Sequence, residues 1–205
     1  YLASRSAWSS TAFQVSLLCV DNFRGHKHHD QGSVNFYQGK AGGTDDWMCS
    51  EAQPFTTAPN GTAFSASHYH NVWLMGGHQQ RKKGSPNLYG PVATIPRAYQ
   101  ATLYSYARMD CSDAYWTNFS SSNWHGDEKL NDYLHREVFH IRTGNYVVLY
   151  DRVTMTDPFT SGASDQRWHF PKVQPTVASN EIKSDNGTNR LFMRLLYPGS
   201  YSFTW

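Results

Sequence analysis

Three of the chain's ten histidines fall in one nine-residue stretch, Gly25-His26-Lys27-His28-His29-Asp30-Gln31-Gly32-Ser33. In an extended segment alternate side chains share a face, so His26 and His28 project together. Two imidazoles on one side can hold a divalent metal. They can also divide the work, one binding metal while the other moves a proton. A third ligand has to come from another segment. Asp45 or Asp46 lies one hairpin length on, and His68 and His70 follow in Ser67-His68-Tyr69-His70-Asn71. A His/Asp/His set of this kind suits zinc or a similar ion. The competing reading is a solvent-facing histidine run with no ligand role; the nearby carboxylates and the second histidine motif weigh against it.

The segments that must position these groups read as strands. Phe13 to Val20 begins with alternation that puts Phe13, Val15 and Leu17 on one side. Val34 to Tyr37, Asn71 to Met75 and Ala101 to Ala107 have the same aromatic and β-branched character. Glu137 to Ile141 runs into Thr143-Gly144-Asn145, a hairpin turn, and Tyr146 to Val153 returns as an apolar strand expected at the centre of a sheet. Asp185-Asn186-Gly187 is a second tight turn, ahead of Leu191 to Tyr197. The one helix expected is short, Asp127 to Leu134. Many short strands separated by turns predict an all-β fold, a large antiparallel two-layer β-sandwich spanning 1–205 as a single domain.

Composition narrows the function. The chain has 205 residues, 17% of them charged, and a formal net charge of +2. That balance lacks the basic bias of a nucleic-acid binder. It also lacks a polybasic membrane patch, and the longest apolar run, Tyr146 to Tyr150, cannot span a bilayer. Cys19, Cys49 and Cys111 have neither zinc-knuckle nor redox spacing and read as buried small residues rather than a disulfide framework. Asn60, Asn118 and Asn186 each open an N-x-S/T sequon, compatible with a secreted or periplasmic protein. The opening residues, Tyr1 to Trp8, read as folded domain rather than leader, which suggests a mature product or a piece of a longer chain.

Taken in order, these motifs resemble the C-terminal β-sandwich of heparinase II/III-like polysaccharide lyases. The H-x-H-x-D-x-G pattern of that family is similar to His26-Lys27-His28-His29-Asp30-Gln31-Gly32. Ser4-Arg5-Ser6-Ala7-Trp8 resembles its opening strand. His70-Asn71-Val72 with Gly76-Gly77-His78-Gln79 resembles its HN…G…Q segment. Ala107-Arg108-Met109-Asp110 with Asp113-Ala114-Tyr115, Arg136-Glu137-Val138-Phe139, Tyr146 to Val153 and Trp168-His169-Phe170 continue the series, which ends at Leu191 to Pro198. The resemblance implies that His26 lies at a catalytic cleft and that His28, Asp45 and His70 hold a divalent metal, zinc being the expected ion. Two departures stand out. Ala41-Gly42-Gly43-Thr44 precedes Asp45 where the family carries apolar residues. The family's N-terminal helical toroid, which supplies a catalytic tyrosine, has no counterpart in this sequence.

The implied reaction is β-elimination on a uronate-containing acidic polysaccharide, with His26 in acid/base or charge-neutralising work. Arg5, Trp8 and Trp73 are candidate sugar contacts, since arginine forks carboxylates and aromatic faces stack on sugar rings. Packing is the plainer role for each tryptophan. Asp151 and Arg152 are expected in a structural ion pair or buried network. Two other functions fit less of the sequence. One is a non-catalytic sandwich that binds glycan or self-associates; an N-terminal helical domain of the same protein is a further candidate partner. The other is a metal-dependent hydrolase, for which no general base stands out near the metal ligands.

Overall fold

The computed structural model describes residues 2–9, 11–19, 30–39, 46–49, 67–76, 78, 80, 93–116, 128–156, 164–170, 174–185 and 189–196. Among them there is no α-helix, only 3-10 turns at Ser67–Tyr69 and Arg142–Gly144. No helix of the described residues is long and apolar enough to cross a membrane.

Two four-stranded antiparallel sheets form the body. The first has β1 (Leu2–Arg5), β2 (Phe13–Leu18), β3 (Ser33–Gln38) and β4 (Asp46–Cys49) side by side in that order. Its inward residues are those the alternation predicts: Phe13, Val15, Leu17, Val34 and Phe36 are all buried. A small two-stranded sheet joins β5 (Trp73–Met75) to β10 (Ser164–Gln166). The second large sheet has β6 (Thr94–Gln100), β7 (Tyr104–Asp110), β8 (Asn131–Ile141) and β9 (Tyr146–Met155) in that order. A three-stranded sheet of β11 (Thr176–Ala178), β12 (Glu181–Asp185) and β13 (Arg190–Arg194) completes the described fold. The turn expected at Asp185-Asn186-Gly187 lies between two antiparallel partners, though Asn186 and Gly187 are outside the described residues.

The two large sheets share one core, in which Phe13, Val15, Leu17, Val34 and Phe36 meet Ala107, Met109, Leu134 and Val138. This is the all-β two-layer architecture that the patterning predicts. Three local readings are corrected, and one strand is found that was not expected. Asn131 to Leu134, expected to end a short helix, are the first residues of β8. Ala101 to Leu103 are the turn between β6 and β7, not the start of a strand. Thr94–Gln100 is a strand that periodicity does not reveal. Its register shifts between Thr94 and Arg97, and it carries Pro96, which an edge strand tolerates. Tyr146–Met155 is an edge strand, exposed at every second residue, rather than the middle of a sheet. The hairpin before it closes as expected, with Asn145 in the left-handed conformation at φ 54°. All three cysteines are free and buried, as expected.

One ion pair lies inside the sandwich. Arg136 on β8 sits directly opposite Asp151 on β9, both on the inward face. The contact is bidentate, with Nε 2.8 Å from Oδ1 and Nη2 2.8 Å from Oδ2. Burial opposes the guanidinium charge, but the bonded carboxylate more than offsets it and raises the arginine pKa. The pair was expected of Asp151 and Arg152; strand alternation puts Arg152 on the opposite face, where it caps the Tyr133 ring at 5.2 Å.

A second polar chain joins the sheets at their other end. Arg142 donates to Ser105 Oγ at 2.6 Å, and Ser4 Oγ donates to the same oxygen at 2.9 Å. With its hydroxyl proton spent, Ser4 accepts from His140 Nδ1 at 2.8 Å. His140 Nε2 is buried without a partner, and the Phe13 ring packs edge-on at 5.5 Å. Burial, and then the charge of Arg142, lower the His140 pKa from 6.5 to about 4.

Two predictions follow from these buried groups. An unfolded His140 takes up a proton near pH 6.5 while the folded one resists until about pH 4. Stability is therefore fully present above pH 6.5 and drains away as pH falls toward 4. Wild type should lose about 2–3 kcal/mol more than His140→Asn between pH 7.5 and 4.5 in urea denaturation; parallel losses would contradict the assignment. Replacing Asp151 by Asn strands the Arg136 charge. It should cost about 3–5 kcal/mol by the same method, and a loss below about 1 kcal/mol would refute a paired, desolvated guanidinium.

Candidate functional site

Residues 20–29, which carry His26 and His28, lie outside the described residues, as does Asp45. The structure describes what holds the two ends of that segment. It leaves β2 at Leu18 and returns at Asp30. Gly32 N donates to Leu18 O at 2.8 Å, and Ser33 N to Asp30 O at 3.0 Å, so the ends are pinned together. Gly32 has φ +81°, and a Cβ there would stand 2.9 Å from Cys111 Sγ. Both the conformation and the close approach call for glycine.

A glutamine clamps the neighbouring residue. Gln31 N donates to Gln80 Oε1 at 2.7 Å, and Gln80 Nε2 donates back to Gln31 O at 2.7 Å. The same amide nitrogen is 2.8 Å from Tyr115 Oη, whose proton goes to Trp73 O at 2.6 Å. Burial raises the Tyr115 pKa strongly, so the phenol stays protonated as this geometry requires. Gln80 is fully buried. The sequence reading assigned the motif glutamine to Gln79, next to it and outside the described residues. Only the pairing with Gln31 distinguishes the two.

Arg136 reaches this base from across the sandwich. Its Nη1 donates to Gly32 O at 2.8 Å and to Asn71 O at 2.9 Å. Asn71 in turn fixes β3, giving its amide protons to Val34 O at 3.0 Å and Asn35 Oδ1 at 2.9 Å. Asn71 Oδ1 accepts from His169 N at 2.8 Å. The His169 ring lies with Nδ1 3.2 Å from that oxygen and Nε2 2.9 Å from His68 O. Trp168 stacks on Phe36 with centroids 6.0 Å apart, and Arg136 Cζ lies 5.7 Å from its ring. His68, His70, Asn71 and His169 thus form one polar cluster beside the base of the 20–29 segment. Burial, the Arg167 charge and His70 all lower the His68 pKa, which favours a neutral imidazole. Cys49, next to the cluster, is no nucleophile at neutral pH, since burial pushes its thiol up to about 12.

Of the expected metal ligands, only His70 is described, and it is fully buried. Among the described residues, no three His, Cys, Asp or Glu side chains converge closely enough to hold a metal ion. Of the expected sugar contacts, Arg5 and Trp8 lie together. Trp8 is 91% exposed, with Arg5 Cζ 5.3 Å from its ring. Trp73 packs against the core, and its Nε1 donates to Asp151 Oδ2 at 2.9 Å, so its polar atom serves the buried ion pair.

No protein-family model and no curated protein matches the chain. Solved structures do. A chain described as the heparinase III gene product superposes with a TM-score of 0.62 at 13% identity, over 89% of this chain and 25% of its own. The same product with methylated lysines gives a TM-score of 0.63 at 12% identity, again over 89% and 25%. The chain spans about a quarter of the length of these solved structures. Its fold is that of a β region of heparinase III.

Proposed function

We propose that the chain is the β-sandwich part of a polysaccharide lyase acting on uronate-containing acidic polysaccharide. The observation that carries this reading is the match of 89% of the chain to a heparinase III fold. It is supported by the polar frame of Gln80, Gly32, Asn71 and Arg136 at the root of the histidine segment.

The chemistry needed is β-elimination. A base removes the C5 proton of the uronate, and the C5–H electron pair delocalises into the carboxylate as an enolate. Its collapse forms the C4=C5 double bond as the C4–O bond breaks, and the leaving glycosidic oxygen takes a proton. A neutral imidazole suits proton abstraction, and His26 is the residue assigned to proton transfer; a positive charge or donors would stabilise the developing enolate. Arg5, Trp8 and Trp73 are assigned to sugar contacts. A divalent metal, zinc in this reading, would be held by His28, Asp45 and His70 and would fix the loops around them. Acidic polysaccharides of this kind are extracellular, which makes a secreted or periplasmic location part of the proposal.

Incubation of the protein with heparan sulfate or alginate should raise absorbance from unsaturated uronate, and His26→Ala should remove most of that signal. Absence of product from a folded protein would sink the lyase reading and leave a non-catalytic glycan-binding sandwich. For the metal, elemental analysis should find about one equivalent in wild type and little in His28→Ala. Equal metal in both would remove His28 from the site.

A further inference from the structure

The outer face of the sheet β6-β7-β8-β9 is unlike the outside of an ordinary sandwich. Rows across the strands can be read from the register. One row runs Tyr99, Tyr106, Phe139, Val148; the next runs Arg97, Arg108, Glu137, Tyr150; a third ends in His135 and Arg152. Tyr99 is 58% exposed, Tyr150 56% and Tyr146 68%. Tyr104 ties the first row together, with centroids 5.7 Å from Tyr99 and 5.0 Å from Phe139. An apolar and aromatic surface this continuous marks an interaction site on a soluble fold.

The charges point to the kind of partner. Arg97 and Arg108 stand directly opposite each other, a like-charge pair that destabilises a sheet unless something neutralises it. Neither arginine, nor Arg152, has a carboxylate within ion-pair distance among the described residues. Arg108 Nε is also buried without a hydrogen-bond partner. The acidic side chains on this face are engaged elsewhere. Glu137 Oε2 accepts from Tyr106 Oη at 2.8 Å, and Asp110 Oδ2 is 3.0 Å from His135 Nε2. Ser112 N and Oγ both donate to Asp110 Oδ1 as well. Guanidiniums that no described carboxylate bonds, beside exposed tyrosine rings, offer forked donors for carboxylate or sulfate and flat surfaces for sugar rings.

We propose that this face is a binding platform for an acidic polysaccharide. Arg97, Arg108 and Arg152 take the anionic groups, and Tyr99 and Tyr150 stack on the sugars. The platform is on the face of β7 and β8 opposite to the one that packs on the core beside Gly32 and Gln80. It rests on the proposed polysaccharide partner and adds a second place for that polymer on the chain.

The test is native affinity electrophoresis of the full chain in gels containing heparan sulfate, alginate or neutral dextran. Both acidic polymers should retard wild type, and dextran should not. Arg97→Gln/Arg152→Gln and Tyr99→Ala/Tyr150→Ala should weaken binding at least about tenfold, with thermal unfolding unchanged. Retention of full affinity by the arginine variant overturns the platform, and so does equal retardation by dextran. Self-association of wild type that the arginine variant abolishes, seen by sedimentation, overturns it in favour of a second copy on this face. Uronate product without retardation sinks the platform and leaves the lyase reading standing. Arginine-dependent retardation without product supports the platform and sinks the lyase reading.

Discussion

A guanidinium buried between two sheets cannot be left to itself, and the arrangement around Arg136 is the consequence. Its two forked bonds to Asp151 join β8 to β9, and its remaining nitrogen reaches Gly32 O and Asn71 O. Trp73 shares the same carboxylate, and Trp168 covers the guanidinium. One side chain therefore ties the second large sheet to the base of the histidine segment and to the turn before β5. Apolar contacts in the core tolerate sliding, whereas four directional bonds to two carbonyl oxygens and one carboxylate do not. A desolvated pair of this kind contributes little net stability compared with apolar packing, but it makes alternative registers expensive.

The polar groups near that guanidinium show how a β-sandwich can carry chemistry at its rim. Gln80 copies the pairing of a strand onto Gln31, satisfying a backbone donor and acceptor at a position where the ladder has ended. Asn71 donates to one carbonyl of β3, Val34 O, and to the Asn35 side chain, and its own oxygen accepts from His169 N. Such groups stabilise only when every partner is present, so they hold the root of the 20–29 segment in one conformation. The described histidines divide by environment. His140 is kept neutral by burial, His135 leans on Asp110, and His169 lies against backbone and amide oxygens. The two faces of β7 and β8 divide similarly. Ser105, Ala107, Met109, Leu134, Arg136 and Val138 face inward, while Tyr104, Tyr106, Arg108 and Tyr133 face outward.

Much of the fold was legible from alternation. Phe13, Val15 and Leu17 announce one buried face, and Thr143-Gly144-Asn145 announces a turn, because both signals are local. The misreadings share a cause as well. Tyr146–Met155 is apolar on both faces, which resembles a central strand, yet its outward side chains are exposed. Asn131 to Leu134 have no decisive local preference and become strand because β9 pairs with them. Thr94–Gln100, with Pro96 inside it, is a strand only because β7 lies alongside. In the site, the histidine motifs were visible as residue types and Arg136 as a motif residue. Gln80 could not be told from Gln79, because adjacent residues differ only in which way the backbone turns them.

By itself, then, the sequence determined the class of fold, the buried face of each well-alternating strand, the hairpin before β9 and the absence of a disulfide framework. These depend on the covalent period of the strand and on local turn geometry. The tertiary structure alone decided that Asp151 pairs with Arg136 and not with its neighbour Arg152, since adjacent strand residues point to opposite sides. It alone decided which strands end a sheet, and hence that Tyr99, Tyr150, Arg97 and Arg108 share one open face. Those relations join residues tens of positions apart, and no local signal specifies them.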